Sequence, residues 1–244
     1  MLCVGFFLLS HMTAHSAEVT VAVASNFSEP MRKIVQSFEQ ESGHKVRLSY
    51  GSTGGFYAQI KNGGPFQFLV AADRETPAKL EKEGLGVAGS SFTYAIGKLV
   101  LWSRQPNLVD QQGEILRRGQ FQKLAIANPK LAPYGAAAVE TLINMGLINE
   151  IRTKLVQGEN ISQVFQFVET ENAQIGFVAM SQVFAQGKLA RGSAWLVPAH
   201  LYAPIQQDAI LLSGGQGNAA ALALMNFLKT SKAKSIMIDH GYTH

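Results

Sequence analysis

The stretch best suited to chemistry is Gly51-Ser52-Thr53-Gly54-Gly55, a glycine-rich turn with two hydroxyls in front of a helical pattern. Glycine-rich turns that open a helix are typical of phosphate sites, because main-chain N–H groups and the helix dipole attract an anion. The lysine of the P-loop motif is absent from this turn. The stretch is therefore either an ordinary flexible turn or part of a site that binds an anion through neutral donors alone.

Three further turns at predicted strand-to-helix junctions have a similar composition, namely residues 24–28, 128–138 and 158–162. Lys130 is the only cation in the four turns. In a parallel α/β sheet, such turns lie beyond the carboxyl ends of the strands, where ligands bind. Each helix N-terminus acts like about half a positive charge, so four of them sum to roughly +2, the complement of a dianion. Taken singly, each turn is better explained as helix capping, and the anion hypothesis depends on their number and on the export signal described below.

The sequence contains little that indicates a catalytic function. Beyond the N-terminal segment, His44 and His200 lie far from the other histidines, and His240 and His244 stand four residues apart at the end of the chain. No H-E-x-x-H or G-x-S-x-G pattern occurs. Neighbouring carboxylates such as Glu39 and Glu41 are expected on solvated helix faces. Asp73, at the end of a predicted strand, is interpreted as a cap or a hinge contact. An enzyme on the same scaffold is kept as an alternative that no motif supports.

The N-terminus has the pattern of a signal peptide at residues 1–16. Its apolar run at residues 3–10 is too short to span a bilayer, and Ala14 and Ser16 supply the small residues of a cleavage site. The alternative is a buried first strand, but the alternating strand pattern begins only at Val19. Cleavage would remove the single cysteine, so the mature protein is expected to have no disulfide. The pattern predicts export to the periplasm.

The composition is that of a globular protein with a substantial core. The chain has 244 residues, of which 47% are hydrophobic and 16% charged, enough for one large domain or two small ones. Its formal charge of +4 comes from scattered Lys and Arg residues, which favours a solvated surface over a nucleic-acid interface.

Hydrophobic periodicity predicts two α/β units, with helices on both faces of each sheet. A helix should begin at Ser28 and stop at Gly43, and another should cover residues 56–61. The pattern at the end of the chain predicts one long helix over residues 218–241. Strands are predicted at residues 18–25, 45–51, 66–72, 98–103, 123–128, 173–180 and 194–198. Strand-like crossings near residues 95–98 and 203–207 would join the two units as a hinge.

Five segments, taken in order and spacing, carry a family resemblance. They read EVTVAVASNFSEPM, GSTGGFYAQIKNG, NPKLAPYGAAAVETL, ENAQIGFVAMSQV and YAPIQQDAILL. Together they resemble the molybdate-binding proteins of ABC importers, over essentially the whole mature chain. The resemblance implies an α/β fold of the type II periplasmic binding-protein class, with two lobes joined by a two-stranded hinge. Each lobe would be a mixed, mostly parallel sheet flanked by helices, and the lobes would comprise residues 17–96 with 204–244, and residues 97–203.

In that family, hydroxyls and main-chain amides hold the oxyanion without cations. The implied ligands are Ser25 and Asn26 through hydroxyl and main-chain amide, Thr53 with its neighbour Ser52, and the main-chain N–H groups of Tyr134 and Ile161.

Two positions depart from the family pattern. One branch of the family adds a tyrosine hydroxyl where this chain has Ala179, so the resemblance implies one side-chain donor fewer. Gln67 replaces an acidic residue that is common in the family, at a position that is not a ligand, and only a difference in packing is expected there.

The resemblance implies a monomeric protein that captures molybdate, and also tungstate, and delivers it to the membrane permease subunits of an ABC importer. It implies no enzyme activity, no cofactor, no cationic group in contact with the oxyanion and no nucleic-acid partner. Molybdate, tungstate and sulfate have only acceptor oxygens near neutral pH, which donors satisfy, whereas protonated phosphate needs an acceptor that only Glu159 could supply. Cavity size separates molybdate from the smaller sulfate. Another oxyanion, sulfate above all, is the alternative ligand, and an enzyme or a sensor is the alternative class.

Overall fold

The computed structural model describes residues 16–244, and residues 1–15, with nearly all of the predicted signal peptide, lie outside the described part. The strands are β1 (Glu18–Ala24), β2 (Lys45–Gly51), β3 (Phe68–Val70), β4 (Phe92–Gly97), β5 (Leu99–Ser103), β6 (Leu124–Ala127), β7 (Leu155–Gly158), β8 (Ile175–Ala179), β9 (Phe184–Ala185), β10 (Lys188–Leu189), β11 (Ser193–Leu196) and β12 (Ile205–Leu211). The α-helices are α1 (Ser28–Ser42), α2 (Thr53–Lys61), α3 (Glu75–Lys82), α4 (Glu114–Arg118), α5 (Pro133–Asn144), α6 (Ile148–Ile151), α7 (Ile161–Glu169), α8 (Met180–Val183), α9 (Ala219–Leu228) and α10 (Ser231–Asp239).

Two five-stranded sheets organise the chain. Sheet A has the strand order β2-β1-β3-β12-β4, in which β1 is parallel to β2 and β3, and β12 is antiparallel to β3 and β4. Sheet B has the order β11-β5-β8-β6-β7, in which β6 is parallel to β7 and β8, and β5 is antiparallel to β8 and β11. We call sheet A with its helices lobe 1, and sheet B with its helices lobe 2. The predicted α/β fold of two lobes with mixed sheets is confirmed.

Each sheet has its own hydrophobic core. In lobe 1, the buried valines of β1 share a core with Met31, Ile34 and Phe38 of α1. In lobe 2, the Trp102 ring stacks on the Phe165 ring, with 5.2 Å between their centroids. Full burial of one such side chain stabilises the fold by about 1.5–3 kcal/mol. The turns at the strand ends are therefore carried by two well-packed units.

The predicted limits of the first helix are confirmed. Helix α1 begins at Ser28, and Gly43 follows it with a φ of 71°, the left-handed conformation that favours glycine. The Gly43 N–H donates to the Glu39 carbonyl oxygen at 3.0 Å and so closes the helix. Helix α2 begins at Thr53, three residues before the predicted apolar segment, so the glycine-rich turn itself contains the start of the helix.

The prediction of one long C-terminal helix is wrong, because α9 ends at Leu228 and α10 begins at Ser231. Thr230 Oγ1 accepts a hydrogen bond from the Ala233 N–H at 3.3 Å and acts as the N-cap of a new helix. Strand β7 and the β9–β10 hairpin were also not predicted, since such short strands carry too little periodicity.

Strands β4 and β12 run side by side where the chain passes between the lobes. Gly97 at the end of β4 pairs with Ile205 at the start of β12, so the two connections are adjacent. Within residues 16–244, no helix is both long and apolar enough to cross a lipid bilayer.

Candidate anion-binding site

The four turns of the sequence analysis meet in one pocket between the lobes. In sheet A, β1 and β2 end at the paired residues Ala24 and Gly51, so the turns that follow them begin side by side. In sheet B, β6 and β7 end in the same way at Ala127 and Gly158. The parallel register of each strand pair therefore brings two turns from each lobe to the same place.

The pocket is small and contains every predicted ligand residue. Its cavity volume is about 10 Å³, far below the roughly 300–1,000 Å³ of pockets that hold drug-sized molecules. Predicted and newly found residues together line it as follows: Ala24, Ser25, Asn26, Gly51, Ser52, Thr53, Ala72, Ala132, Pro133, Tyr134, Asn160 and Ile161.

Unpaired main-chain donors distinguish the pocket. None of the N–H groups of Asn26, Thr53, Tyr134 and Ile161 donates a hydrogen bond to another residue within 16–244. The last three groups open the helices α2, α5 and α7, where N–H groups have no intrahelical acceptor. All four residues are between 1% and 3% exposed. Because a buried, unpaired N–H is costly, the arrangement suits an acceptor ligand between the turns.

Hydroxyls add side-chain donors to this set. Thr53 Oγ1 accepts a hydrogen bond from the Ala72 N–H at 3.0 Å, so its own proton is free to be donated. Ser52 Oγ makes no hydrogen bond to any residue in the described part of the chain. Ser25 Oγ donates to Asn160 Oδ1 at 3.3 Å, a long bond that the hydroxyl can exchange for a better acceptor.

Asn160 is a pocket residue that the sequence analysis missed. Its Oδ1 caps helix α7 by accepting from the N–H groups of Ser162 at 3.0 Å and Gln163 at 3.1 Å. The same oxygen receives the Ser25 hydroxyl from lobe 1, and Ser162 Oγ donates to the Ser25 carbonyl oxygen at 3.2 Å. An asparagine directly before a helical pattern is a strong N-cap signal, and this signal could have pointed to it.

The pocket lining carries no formal charge. Lys130 and Glu159, the two charged residues of the lobe 2 turns, are both exposed and lie outside the lining. Residues 16–244 also contain no group of three or more His, Cys, Asp or Glu side chains that could hold a metal ion. The local electrostatics are therefore those of helix N-termini and neutral dipoles.

Two other residues singled out in the sequence, Ala179 and Gln67, lie away from the pocket. Ala179 is fully buried at the end of β8, outside the lining. Gln67 Oε1 accepts from the Thr20 N–H at 3.1 Å and so serves the packing of lobe 1.

The interpretation of Asp73 as a cap or hinge contact is confirmed. Its carboxylate accepts from the N–H of Thr76 at 2.8 Å in the first turn of α3, and its carbonyl oxygen accepts from Asp208 of β12. Burial raises the pKa of the Asp73 carboxyl.

Two lobes with neutral donors gathered in the cleft between them define the class of extracellular solute-binding proteins. The sequence profile of the bacterial extracellular solute-binding protein family matches residues 19–243, and the chain belongs to this family. Membership of this family makes it a binding protein and not an enzyme.

The chain is also similar to individual named proteins. The chain is 56% identical to the molybdate-binding protein ModA of Azotobacter vinelandii over 94% of this chain and 91% of the relative. It is 47% identical to ModA of Rhodobacter capsulatus over 95% of this chain and 90% of the relative. A solved structure of an Azotobacter vinelandii periplasmic molybdate-binding protein superimposes with a TM-score of 0.90 at 38% identity, covering 93% of this chain and 99% of that one.

Proposed function

We propose that this chain captures molybdate, and also tungstate, in the pocket between its lobes and delivers the anion to an ABC importer. The observation that carries the proposal is the set of unpaired N–H groups from both lobes around an uncharged lining. High identity to two molybdate-binding proteins supports the choice of anion. The relevant chemistry is binding alone, and no cofactor takes part.

The donor set explains why a fully deprotonated oxyanion fits. Molybdate presents only acceptor oxygens, and each finds an N–H or O–H donor in the pocket. Protonated phosphate would bring a donor of its own, and Glu159, the one carboxylate in the four turns, faces solvent. The proposed ligands are Ser25 Oγ, the Ser52 and Thr53 hydroxyls, and the main-chain N–H groups of Asn26, Thr53, Tyr134 and Ile161.

The lobes are proposed to move about the paired crossings of β4 and β12. Lobe 1 would comprise residues 17–96 and 204–244, and lobe 2 residues 97–203. Two of the three hydrophobic clusters lie wholly in the first set, and the third lies almost wholly in the second, which supports this division. Closure would bury the anion and form the surface that the membrane permease subunits recognise. The protein would act as a monomer in the periplasm, after cleavage at the end of the 1–16 signal peptide.

Calorimetric titration of the purified protein with molybdate, tungstate, sulfate and phosphate tests the proposal. We expect tight binding of molybdate and tungstate, weaker binding of the smaller sulfate, and no measurable binding of phosphate. Tighter binding of sulfate than of molybdate would favour the alternative cargo. Absence of binding by all four anions would overturn the proposal.

Replacing Ser25 with Ala should weaken molybdate binding by about 1.5–3 kcal/mol, the range for a hydrogen bond to a charged group. Ser28→Ala is the matched control, because Ser28 Oγ donates to the Ser25 carbonyl oxygen at 3.0 Å and lies outside the lining. Calorimetry should show the loss for the first variant only. Unchanged affinity in Ser25→Ala would mean that this hydroxyl serves only the local turn structure.

Molybdate affinity should be constant between about pH 6 and about pH 9. No acidic, basic or histidine side chain lines the pocket, and its one titratable side chain is the Tyr134 phenol. Burial raises the pKa values of the Tyr94 and Tyr134 hydroxyls well above the ordinary value of tyrosine. It raises the pKa of the Tyr242 hydroxyl to about 12. A raised pKa means that these phenols keep their protons throughout this range. A titration step in the binding constant between these limits would reveal an ionisable ligand.

A further inference from the structure

A cluster of buried polar side chains lies behind the pocket, next to the strands that connect the lobes. We call it the hinge network; none of its members is more than 6% exposed. The members are Asn26, Tyr94, Tyr134, Ser181, Gln207 and Tyr242. They come from both lobes, from β4 and β12, and from the C-terminal segment.

Gln207 is the centre of the hinge network. Its Oε1 accepts from Asn26 Nδ2 at 2.8 Å. The same oxygen lies 2.8 Å from the Tyr94 hydroxyl oxygen, which is also 2.8 Å from the Ala71 carbonyl oxygen. Its Nε2 donates to the Tyr134 hydroxyl at 3.1 Å. The side chain is 0% exposed, so no solvent competes for these bonds.

Two of these partners are also pocket residues. Asn26 belongs to lobe 1 and Tyr134 to lobe 2, and the main-chain N–H of each faces the anion pocket without a protein acceptor. Their side chains point the other way and meet on Gln207. One amide on β12 therefore connects a donor of each lobe.

A second member of the network reinforces the lobe 1 side. The Tyr242 hydroxyl accepts from Asn26 Nδ2 at 3.0 Å and lies 2.9 Å from the Asn26 carbonyl oxygen. Ser181 Oγ of lobe 2 donates to the same carbonyl oxygen at 2.7 Å. Asn26 is thus held at both its side chain and its main chain.

The backbone of Gly97 lies directly against the hinge network. A Cβ atom on Gly97 would lie 2.1 Å from the Tyr134 hydroxyl oxygen and 2.4 Å from Gln207 Nε2. Gly97 is the last residue of β4, where the chain leaves lobe 1. The glycine allows the Tyr134–Gln207 pair to lie directly against the crossing strand.

We propose that Gln207 is a positioning residue that sets the separation between the Asn26 and Tyr134 N–H donors, and through it the size of anion that the pocket prefers. The inference rests on the proposed function of the pocket. Gln207 does not touch the anion; it acts through the two residues that do. Loss of its amide leaves Asn26 and Tyr134 without their shared partner, so the position of one donor is no longer tied to that of the other.

The test compares molybdate and sulfate binding in Gln207→Leu, Tyr134→Phe and the double variant. Tyr134→Phe keeps the ring and the main-chain N–H, and it carries the test if Gln207→Leu does not fold. Each single variant should bind molybdate about tenfold more weakly, the equivalent of one hydrogen bond, and should lose part of the preference for molybdate over sulfate. The double variant should be no weaker than the weaker single one, because the Tyr134–Gln207 hydrogen bond that Tyr134→Phe removes is already absent in Gln207→Leu.

Thr93→Val is the matched control, since Thr93 Oγ1 donates to Asp208 Oδ1 at 2.6 Å between the same two strands but outside the network. It should lower the unfolding temperature and leave both affinities and their ratio unchanged. Folded network variants with the wild-type molybdate-to-sulfate ratio would overturn the inference. If the wild-type protein bound neither anion, the proposed function itself would fail, so the two failures are distinguishable.

Discussion

Asn160→Asp should weaken molybdate binding at neutral pH by about a thousandfold or more. Aspartate has the shape of asparagine and is an equally good N-cap, so helix α7 should keep its start. The change places a negative charge in a pocket whose lining has no cation. Two unit charges 4 Å apart repel by about 4 kcal/mol at an effective dielectric constant of 20, about a thousandfold in affinity, and a dianion doubles the repulsion.

Calorimetry at several pH values checks this expectation. Affinity should return in part as the pH falls and the new carboxylate takes up a proton. Asn226→Asp is the control, because Asn226 is exposed on α9 and gives the protein the same added charge far from the pocket. Equal affinities of the two variants would show that Asn160 does not face the anion.

Gly54→Val should also reduce affinity strongly, by a different route. The Gly54 N–H of lobe 1 donates to the Leu131 carbonyl oxygen of lobe 2 at 2.9 Å. A Cβ atom on Gly54 would lie 3.0 Å from the Leu131 Cα and 3.2 Å from its carbonyl oxygen. Overpacking costs about 1–3 kcal/mol and the lost hydrogen bond about 1 kcal/mol more, so affinity should fall by about 30-fold to about 1,000-fold.

Stability of the anion-free protein separates this effect from misfolding. Gly54 lies in helix α2, where the milder change Gly54→Ala should stabilise the helix by up to about 1 kcal/mol. We therefore expect Gly54→Ala to keep or raise the unfolding temperature while affinity falls. Gly214→Ala in lobe 1 is the control, since its Cβ would meet only an ordinary contact at 3.5 Å. Unchanged affinity in both Gly54 variants would show that the lobes do not need this close approach.

The features predicted correctly from the sequence depend on residues that are close together in the chain. The start of α1 at Ser28 and its stop at Gly43 depend on neighbouring residues alone, and both were predicted correctly. All four turns have the composition of a helix cap, and three of them follow a predicted strand, whereas β7, the strand before the turn at residues 158–162, was not predicted. Their meeting in one pocket follows from the parallel register of β1 with β2 and of β6 with β7.

The features that were missed depend on contacts between distant residues. Asn26 and Tyr242 are 216 positions apart, and no spacing rule relates them to Gln207. The role of Asn160 comes partly from Ser25 in the other lobe, which a turn-by-turn analysis does not include. The break at Thr230 was overlooked because the apolar pattern continues through it and outweighed a one-residue cap signal.

A crystal structure of the protein grown with molybdate, with anomalous data at the molybdenum edge, tests the central claim most directly. The account predicts one anomalous peak between the four turns. The anion oxygens should lie about 2.7–3.2 Å from the N–H groups of Asn26, Tyr134 and Ile161, with no Lys or Arg side chain within about 4 Å. A peak elsewhere, or a lysine or arginine in contact with the anion, would contradict a dianion site made of neutral donors alone.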